Sequence, residues 1–242
     1  MLPMDTTSPL LVRHVSKYFN ERPVLQDINL ALVPGEIYGL VGINGVGKTT
    51  LIKIILQLLT QCSGEVFFFG HTAKEPKNRK FLAYVPEKFS PSPLLKGSEF
   101  LSLAVSYHLQ SLDKQQVEEK ADILGLDYRV LSQRIGHYSK GMAQKLGLLA
   151  AFLVNAPLLV LDEPMSGLDP GARIRLKTLL KQHVAQGNSV FFSSHILADI
   201  EEICDRMAIM HESRLVYEGT PFAFLQEQNV PQLEQAFLKV IG

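Results

Sequence analysis

With 242 residues, 46% of them hydrophobic, and 24 Lys and Arg against 24 Asp and Glu, the chain has apolar mass for one large α/β domain, or a domain with a subdomain, and no net charge. That balance excludes a global field that would recruit nucleic acid or an anionic bilayer, so any such partner must be recognised locally. Cys62 and Cys204 lie far apart in a chain that opens without a signal-peptide pattern, and are expected as unpaired thiols in a reducing cytosol. The most apolar stretch, residues 146–161, is interrupted by Asn155 and Pro157 and is shorter than the ~20 residues that cross a bilayer.

Residues 1–8 are polar and read as a loose terminus. Residues 10–15 and 28–33 cluster β-formers around a turn-rich middle, as in an antiparallel pair. Pro34-Gly35 then punctuates the entry to a buried run carrying Ile37, Tyr38, Leu40 and Val41. After a glycine-rich loop, Leu51, Ile54, Ile55, Leu58 and Leu59 recur at helical spacing, one apolar stripe facing a sheet. Strands are predicted over residues 65–69 and 81–85, the second ending at Pro86. Residues 87–135 change to helical spacing with no strand-like run, a small helical subdomain inserted into a nucleotide lobe made of residues 10–86 and 136–220. Strand character returns at 158–161 and 189–192, each after a helical segment, which fits parallel βαβ units. A hairpin of 207–210 and 214–217 precedes a short helical tail, 221–242. The class is α/β: a mostly parallel core sheet with an antiparallel β subdomain and a small helical one.

The chemistry concentrates in Gly42-Ile43-Asn44-Gly45-Val46-Gly47-Lys48-Thr49-Thr50, which satisfies the P-loop pattern G-x-x-x-x-G-K-[ST] in full. A buried strand enters it and a helix leaves it, the context the pattern requires. Glycines such as Gly42, Gly45 and Gly47 let successive amides, Asn44 among them, point inward, and the helix start adds its positive dipole end. A triphosphate fits such a hollow, with Lys48 reaching the β- and γ-phosphates and the Thr49 hydroxyl on the Mg²⁺ that bridges them; Thr50 continues the helix. Leu158-Leu159-Val160-Leu161-Asp162-Glu163-Pro164 is an apolar strand ending in two carboxylates, the form of a Walker B element. Asp162 would hold Mg²⁺ and Glu163 would polarise the attacking water, the two dividing these tasks if the backbone turns at Pro164.

From about Leu10 onward the chain resembles the ATP-binding subunits of ABC transporters. Tyr138-Ser139-Lys140-Gly141-Met142 is similar to the family's signature motif, usually LSGGQ, in a form resembling an exporter and multidrug-type branch. The resemblance implies that Ser139, Lys140 and Gly141 grip the γ-phosphate of an opposing subunit in a head-to-tail dimer, with this chain or a similar ATPase subunit as the partner. Ser166-Gly167-Leu168-Asp169 resembles the D-loop at that interface, and His195 in Phe-Phe-Ser-Ser-His resembles the switch histidine after the last strand. Phe19 stands where the family stacks an aromatic on adenine, with Tyr18 the neighbouring candidate. Glu87 in Val85-Pro86-Glu87 stands where the family has a metal-contacting Gln.

The function these features imply is a cytosolic, Mg²⁺-dependent ATPase subunit, peripheral on the cytoplasmic face of a membrane, powering an integral membrane subunit that docks near residues 87–99. A soluble ABC protein acting on ribosomes or DNA is the competing class. Those relatives carry two cassettes or inserted coiled coils, and this neutral chain offers no basic stripe for nucleic acid. A nucleotide-binding regulator without turnover is opposed by Lys48, Asp162, Glu163 and His195 being present together.

Overall fold

The computed structural model describes residues 8–242. Of the terminus expected to be loose, residues 1–7 lie outside that range, whereas Ser8 is buried and its hydroxyl donates to the carbonyls of Leu10 and Leu32 at 2.9 and 2.7 Å. The chain then runs through β1 (Leu11–Phe19), β2 (Arg22–Ala31), β3 (Ile37–Val41), α1 (Lys48–Ile55), β4 (Ser63–Phe68), β5 (His71–Thr72) and β6 (Leu82–Val85). Next come α2 (Gly97–Tyr107), α3 (Lys114–Leu124), α4 (Lys140–Val154), β7 (Leu158–Asp162), α5 (Pro170–Ala185), β8 (Ser189–Ser194) and α6 (Leu197–Ile203). The hairpin β9 (Arg206–His211) and β10 (Arg214–Gly219) leads into α7 (Pro221–Gln228) and α8 (Leu233–Ile241).

Two sheets form. One is antiparallel, in the order β2-β1-β4-β5; the other has six strands, β10-β9-β3-β8-β7-β6, parallel throughout except for the edge strand β10. All five residues of β3 and of β7 and all six of β8 are buried, the continuous burial of parallel strands covered on both faces. Alternation sorts their side chains. Tyr38 and Leu40 join a core with α1 and the antiparallel sheet, while Ile37 and Val41 join the other core, under the helices.

Sequence and structure part company in two places here. The middle of the first antiparallel pair is strand rather than turn: β1 and β2 run on to a tight turn at Asn20 and Glu21, and irregular register absorbs His14 and Asp27, both with positive φ (49° and 53°). The stripe expected to continue to Leu59 ends a turn early, because α1 stops at Ile55 and Gln57 enters the left-handed region (φ 54°), leaving Leu58 62% exposed. Cys62 and Cys204 are both free thiols. Among the described residues no helix is long and apolar enough to cross a membrane.

Candidate functional site

Because β3, β7 and β8 are parallel neighbours, their carboxyl ends open at one edge of the sheet, where ligands of open α/β folds bind. The loop 42–47 leaves β3 there and delivers α1. Gly47 sits at φ 121°, and a Cβ on it would lie 2.9 Å from the Val24 carbonyl oxygen, so both conformation and space require glycine. The helix start it forms has no side-chain cap and no acidic residue in its first turn. The starts of α3, α4, α5 and α7, in contrast, are capped by Asp113, Ser139, Asp169 and Thr220. An uncapped start leaves amide donors and the dipole's positive end for an anion.

Lys48, only 6% exposed, folds over the loop, donating to the Gly42 carbonyl at 2.7 Å and the Ile43 carbonyl at 3.4 Å. Its ammonium lies 3.3 Å from Glu163 Oε1, outside hydrogen-bond geometry, and that buried oxygen accepts no hydrogen bond. The other oxygen, Oε2, is 2.8 Å from His195 Nδ1 and accepts from the His195 amide at 3.3 Å. Thr49 Oγ1 donates to Asp162 Oδ2 at 2.9 Å, and Ser193 Oγ donates to Asp162 Oδ1 at 2.6 Å while accepting from the Glu163 amide at 2.9 Å. Burial pushes the Tyr84 phenol up to about 12, and the Asp162 carboxylate adds to the shift, so Tyr84 stays neutral beside it.

The two carboxylates do diverge, one residue earlier than expected. β7 ends at Asp162, and Glu163 itself takes a left-handed φ of 49°, a conformation costing about 1 kcal/mol or more for a residue with a Cβ. Asp162 thereby faces Thr49 and Ser193 while Glu163 faces Lys48 and His195. Ser193 escaped the sequence reading because it carries no charge; its place one residue before the end of a strand neighbouring β7 is the signal that would have found it.

A cavity of about 270 Å³ is lined by Asn44, Gly45, Gly47, Lys48, Thr49 and Thr50 on the loop side and by Glu87, Glu163 and His195 opposite. Gly42 lies behind it with its carbonyl taken by Lys48, and Asp162 lies behind Thr49. A second cavity, about 620 Å³, shares Asn44, Gly45 and Thr50 and extends to Phe19, which is 46% exposed with Lys17 Nζ 5.0 Å from its ring centre. Ser139, Lys140, Gly141 and Asp169 line neither cavity. Ser139 and Lys140 are exposed at the α4 start, where Ser139 Oγ accepts from the Met142 amide at 3.2 Å, and Asp169 Oδ1 accepts from the Ala172 amide at 2.9 Å as the cap of α5.

Hard oxygens suit Mg²⁺, and Thr49, Asp162 and Glu87 supply them here. Among the described residues no three His, Cys, Asp or Glu side chains gather into a metal cage. That donor set fits an ion held by one or two protein oxygens together with phosphate and water, not one held by protein alone.

Residues 25–166 match the family described as ABC transporter. The chain belongs to that family. It is 36% identical over 216 residues to an ABC transporter ATP-binding protein of Nostoc sp., an alignment covering 88% of this chain and 64% of that protein, so the chain spans under two thirds of that relative's length. A solved structure described as the ATP binding subunit of an ABC transporter is 32% identical and superposes with a TM-score of 0.87 over 96% of this chain and 99% of the other. A dimeric ATP-binding cassette in a post-hydrolysis state with ADP and Pi, at 22% identity and a TM-score of 0.79 over 87% of this chain and 98% of its own, shares the fold. The chain thus has the fold of an ATP-binding cassette.

Proposed function

We propose that the chain binds and hydrolyses ATP to power a membrane transporter, of the exporter type that its Tyr138-Ser139-Lys140-Gly141-Met142 signature resembles, as a peripheral subunit on the cytoplasmic face. The observation that carries this reading is the uncapped start of α1 with Lys48, facing the Glu163–His195 pair across one cavity. The anion receptor and the carboxylate line one cavity, where the Lys48 ammonium approaches Glu163 Oε1 to 3.3 Å.

On nucleotide binding, the Lys48 ammonium exchanges the Gly42 carbonyl for β- and γ-phosphate oxygens, and the α1 amides supply further donors. Thr49, Asp162 and Glu87 are the side chains that would hold Mg²⁺, which supplies charge neutralisation to the phosphates when bound. Ser193 fixes Asp162 by a short hydrogen bond and fixes the Glu163 amide in the same contact. Glu163 Oε1, with no donor of its own, accepts the proton of the water whose oxygen attacks the γ-phosphorus; the bond to the ADP oxygen breaks and phosphate leaves. His195 Nδ1 holds Oε2 so that Oε1 keeps facing the cavity. Phe19 stacks on the adenine in the adjoining cavity. Ser139, Lys140, Gly141 and Asp169 act on the nucleotide of a second, head-to-tail copy or a similar subunit, and residues 87–99, where Leu94 is 74% exposed, form the docking face for the membrane subunit.

Glu163→Gln tests the reading. The variant is expected to bind ATP and to lose turnover by about 10²-fold or more, because the amide cannot take the proton. It should accumulate as an ATP-bound dimer in size-exclusion chromatography. Wild-type turnover in this variant would overturn the assignment of Glu163 as the base.

A further inference from the structure

The catalytic reading leaves Lys145 unused, although it sits on the same helix as the signature residues with only 13% of its side chain exposed. Its Nζ donates to the Gly125 carbonyl at 3.0 Å and lies 3.6 Å from Asp169 Oδ2. Gly125 closes α3 in a left-handed C-cap, and α3 has no basic residue in its last turn to meet its negative dipole end. Asp169 opens α5, placing a carboxylate at a positive dipole end. One ammonium therefore joins the carbonyl end of α3 to the capping carboxylate of α5 from the middle of a third helix, α4.

Glycine is needed for the fit: at φ 65°, Gly125 would carry a Cβ 2.6 Å from Arg175 Nη2, so the Arg175 guanidinium packs where a side chain would stand. The Ala172 amide chiefly, with Lys145 and Arg175 adding, holds the Asp169 carboxyl below its ordinary range, so the acid is ionised near neutral pH. The segment between Glu163 and Asp169 is itself braced, Ser166 N donating to the Glu163 carbonyl at 3.0 Å and Leu168 N to the Met165 carbonyl at 3.3 Å. It also touches the signature: a Cβ on Gly141 would meet the Gly167 carbonyl oxygen at 3.4 Å, and a Cβ on Gly167 would lie 3.6 Å from Lys140 Cε.

We infer that Lys145 is a positioning residue for hydrolysis, holding the signature end of α4 in register with the segment that runs from Glu163 to Asp169, through its contacts with Asp169 and Gly125. It touches no nucleotide; it fixes where two groups that do so stand relative to each other. The inference rests on the ATPase reading above. Lys48 and the loop are untouched by it, so the receptor's own contacts with ATP are expected to survive its loss.

Steady-state ATP hydrolysis by the full chain tests this, with wild type, Lys145→Met, Lys145→Arg, Asp169→Asn and the double variant Lys145→Met/Asp169→Asn. Lys145→Met is expected to lower kcat about tenfold while KM for ATP stays within about twofold, and Lys145→Arg to remain within about twofold of wild type in both. Asn caps helices about as well as Asp, so Asp169→Asn removes the charge but keeps α5 capped; it should lower kcat like Lys145→Met, and the double variant should be no worse than either single one. Wild-type kcat in Lys145→Met, or losses that multiply in the double variant, would overturn the inference. Equal losses in kcat and affinity without rescue by arginine would reduce Lys145 to a packing residue and overturn it also. Should Lys145→Met fail to fold, Lys145→Gln takes its place, with the same loss of kcat expected and with wild-type kcat overturning the role. A wild-type chain that folds but does not turn over ATP overturns the ATPase reading and this inference with it.

Discussion

At the start of α1 no side chain caps the helix, Gly47 stands at φ 121°, and the first-turn amides open into a cavity of about 270 Å³ with Lys48 folded over it. At the start of α4, Ser139 caps the Met142 amide, and Ser139 and Lys140 are exposed. Both are helix N-termini with a lysine and a threonine or serine close by, so both favour an anion. The first lines a cavity, whereas Ser139 and Lys140 at the second stand exposed. The second presents a hydroxyl whose oxygen already accepts from the backbone and whose hydrogen is left to donate, the arrangement of a group brought to a ligand held elsewhere. A receptor and a separate presenting surface on one chain make sense if two copies exchange them, and that complementarity is what the proposed head-to-tail dimer uses.

Loss of the receptor should be total. Lys48→Ala removes the main cation for a triphosphate and leaves the Gly42 carbonyl without its donor, so ATP binding should fall by two orders of magnitude or more and hydrolysis vanish. Wild-type affinity measured by calorimetry with this variant would break the comparison at its stronger end. Loss of the presenting surface should instead be repairable. Ser139→Arg alone is expected to be inactive; mixed with Lys48→Ala, it should recover about half of the wild-type turnover per heterodimer, because both defects then fall in one of two sites. Heterodimers that form and stay inactive would show that α4 does not serve the opposing nucleotide.

The receptor was legible in sequence and the presenting surface's support was not. The P-loop, the Walker B carboxylates and the strand–loop–helix context are local patterns, and most of the residues they named line one cavity, with Gly42 and Asp162 behind it, because parallel strands share an edge. The order of those strands is not local: β3 lies between β8 and β9, separated from both by more than a hundred residues, and spacing along the chain does not encode it. Lys145 was invisible for the same reason, meeting Gly125 and Asp169 only across elements. Periodicity also overran α1, since Leu58 and Leu59 continue a helical pattern that Gln57 ends by turning left-handed, a conformational event with no composition signal. Glu163 shows the same limit, its left-handed turn coming one residue before Pro164.

The smallest effect is expected at the rim of the receptor, where the comparison can be sharpened rather than broken. Phe19 is half exposed on the wall of the larger cavity that continues from the P-loop, which the α4 start does not line. A stacked aromatic adds about 1–3 kcal/mol per base and little base selectivity, while the phosphate contacts at Lys48 and α1 are charge-assisted and stronger. Phe19→Ala should therefore raise KM for ATP by about five- to tenfold with kcat nearly unchanged, the pattern of lost binding shared by ground and transition states. Phe19→Tyr should keep wild-type KM, since the ring face is retained. GTP and ATP should suffer alike from the alanine change, because stacking reads the π-face and not the base edge. If Phe19→Ala leaves KM unchanged while Tyr18→Ala raises it, the neighbouring ring is the stacking partner; if neither moves KM, the larger cavity does not hold the base and the nucleoside extends from the P-loop in another direction.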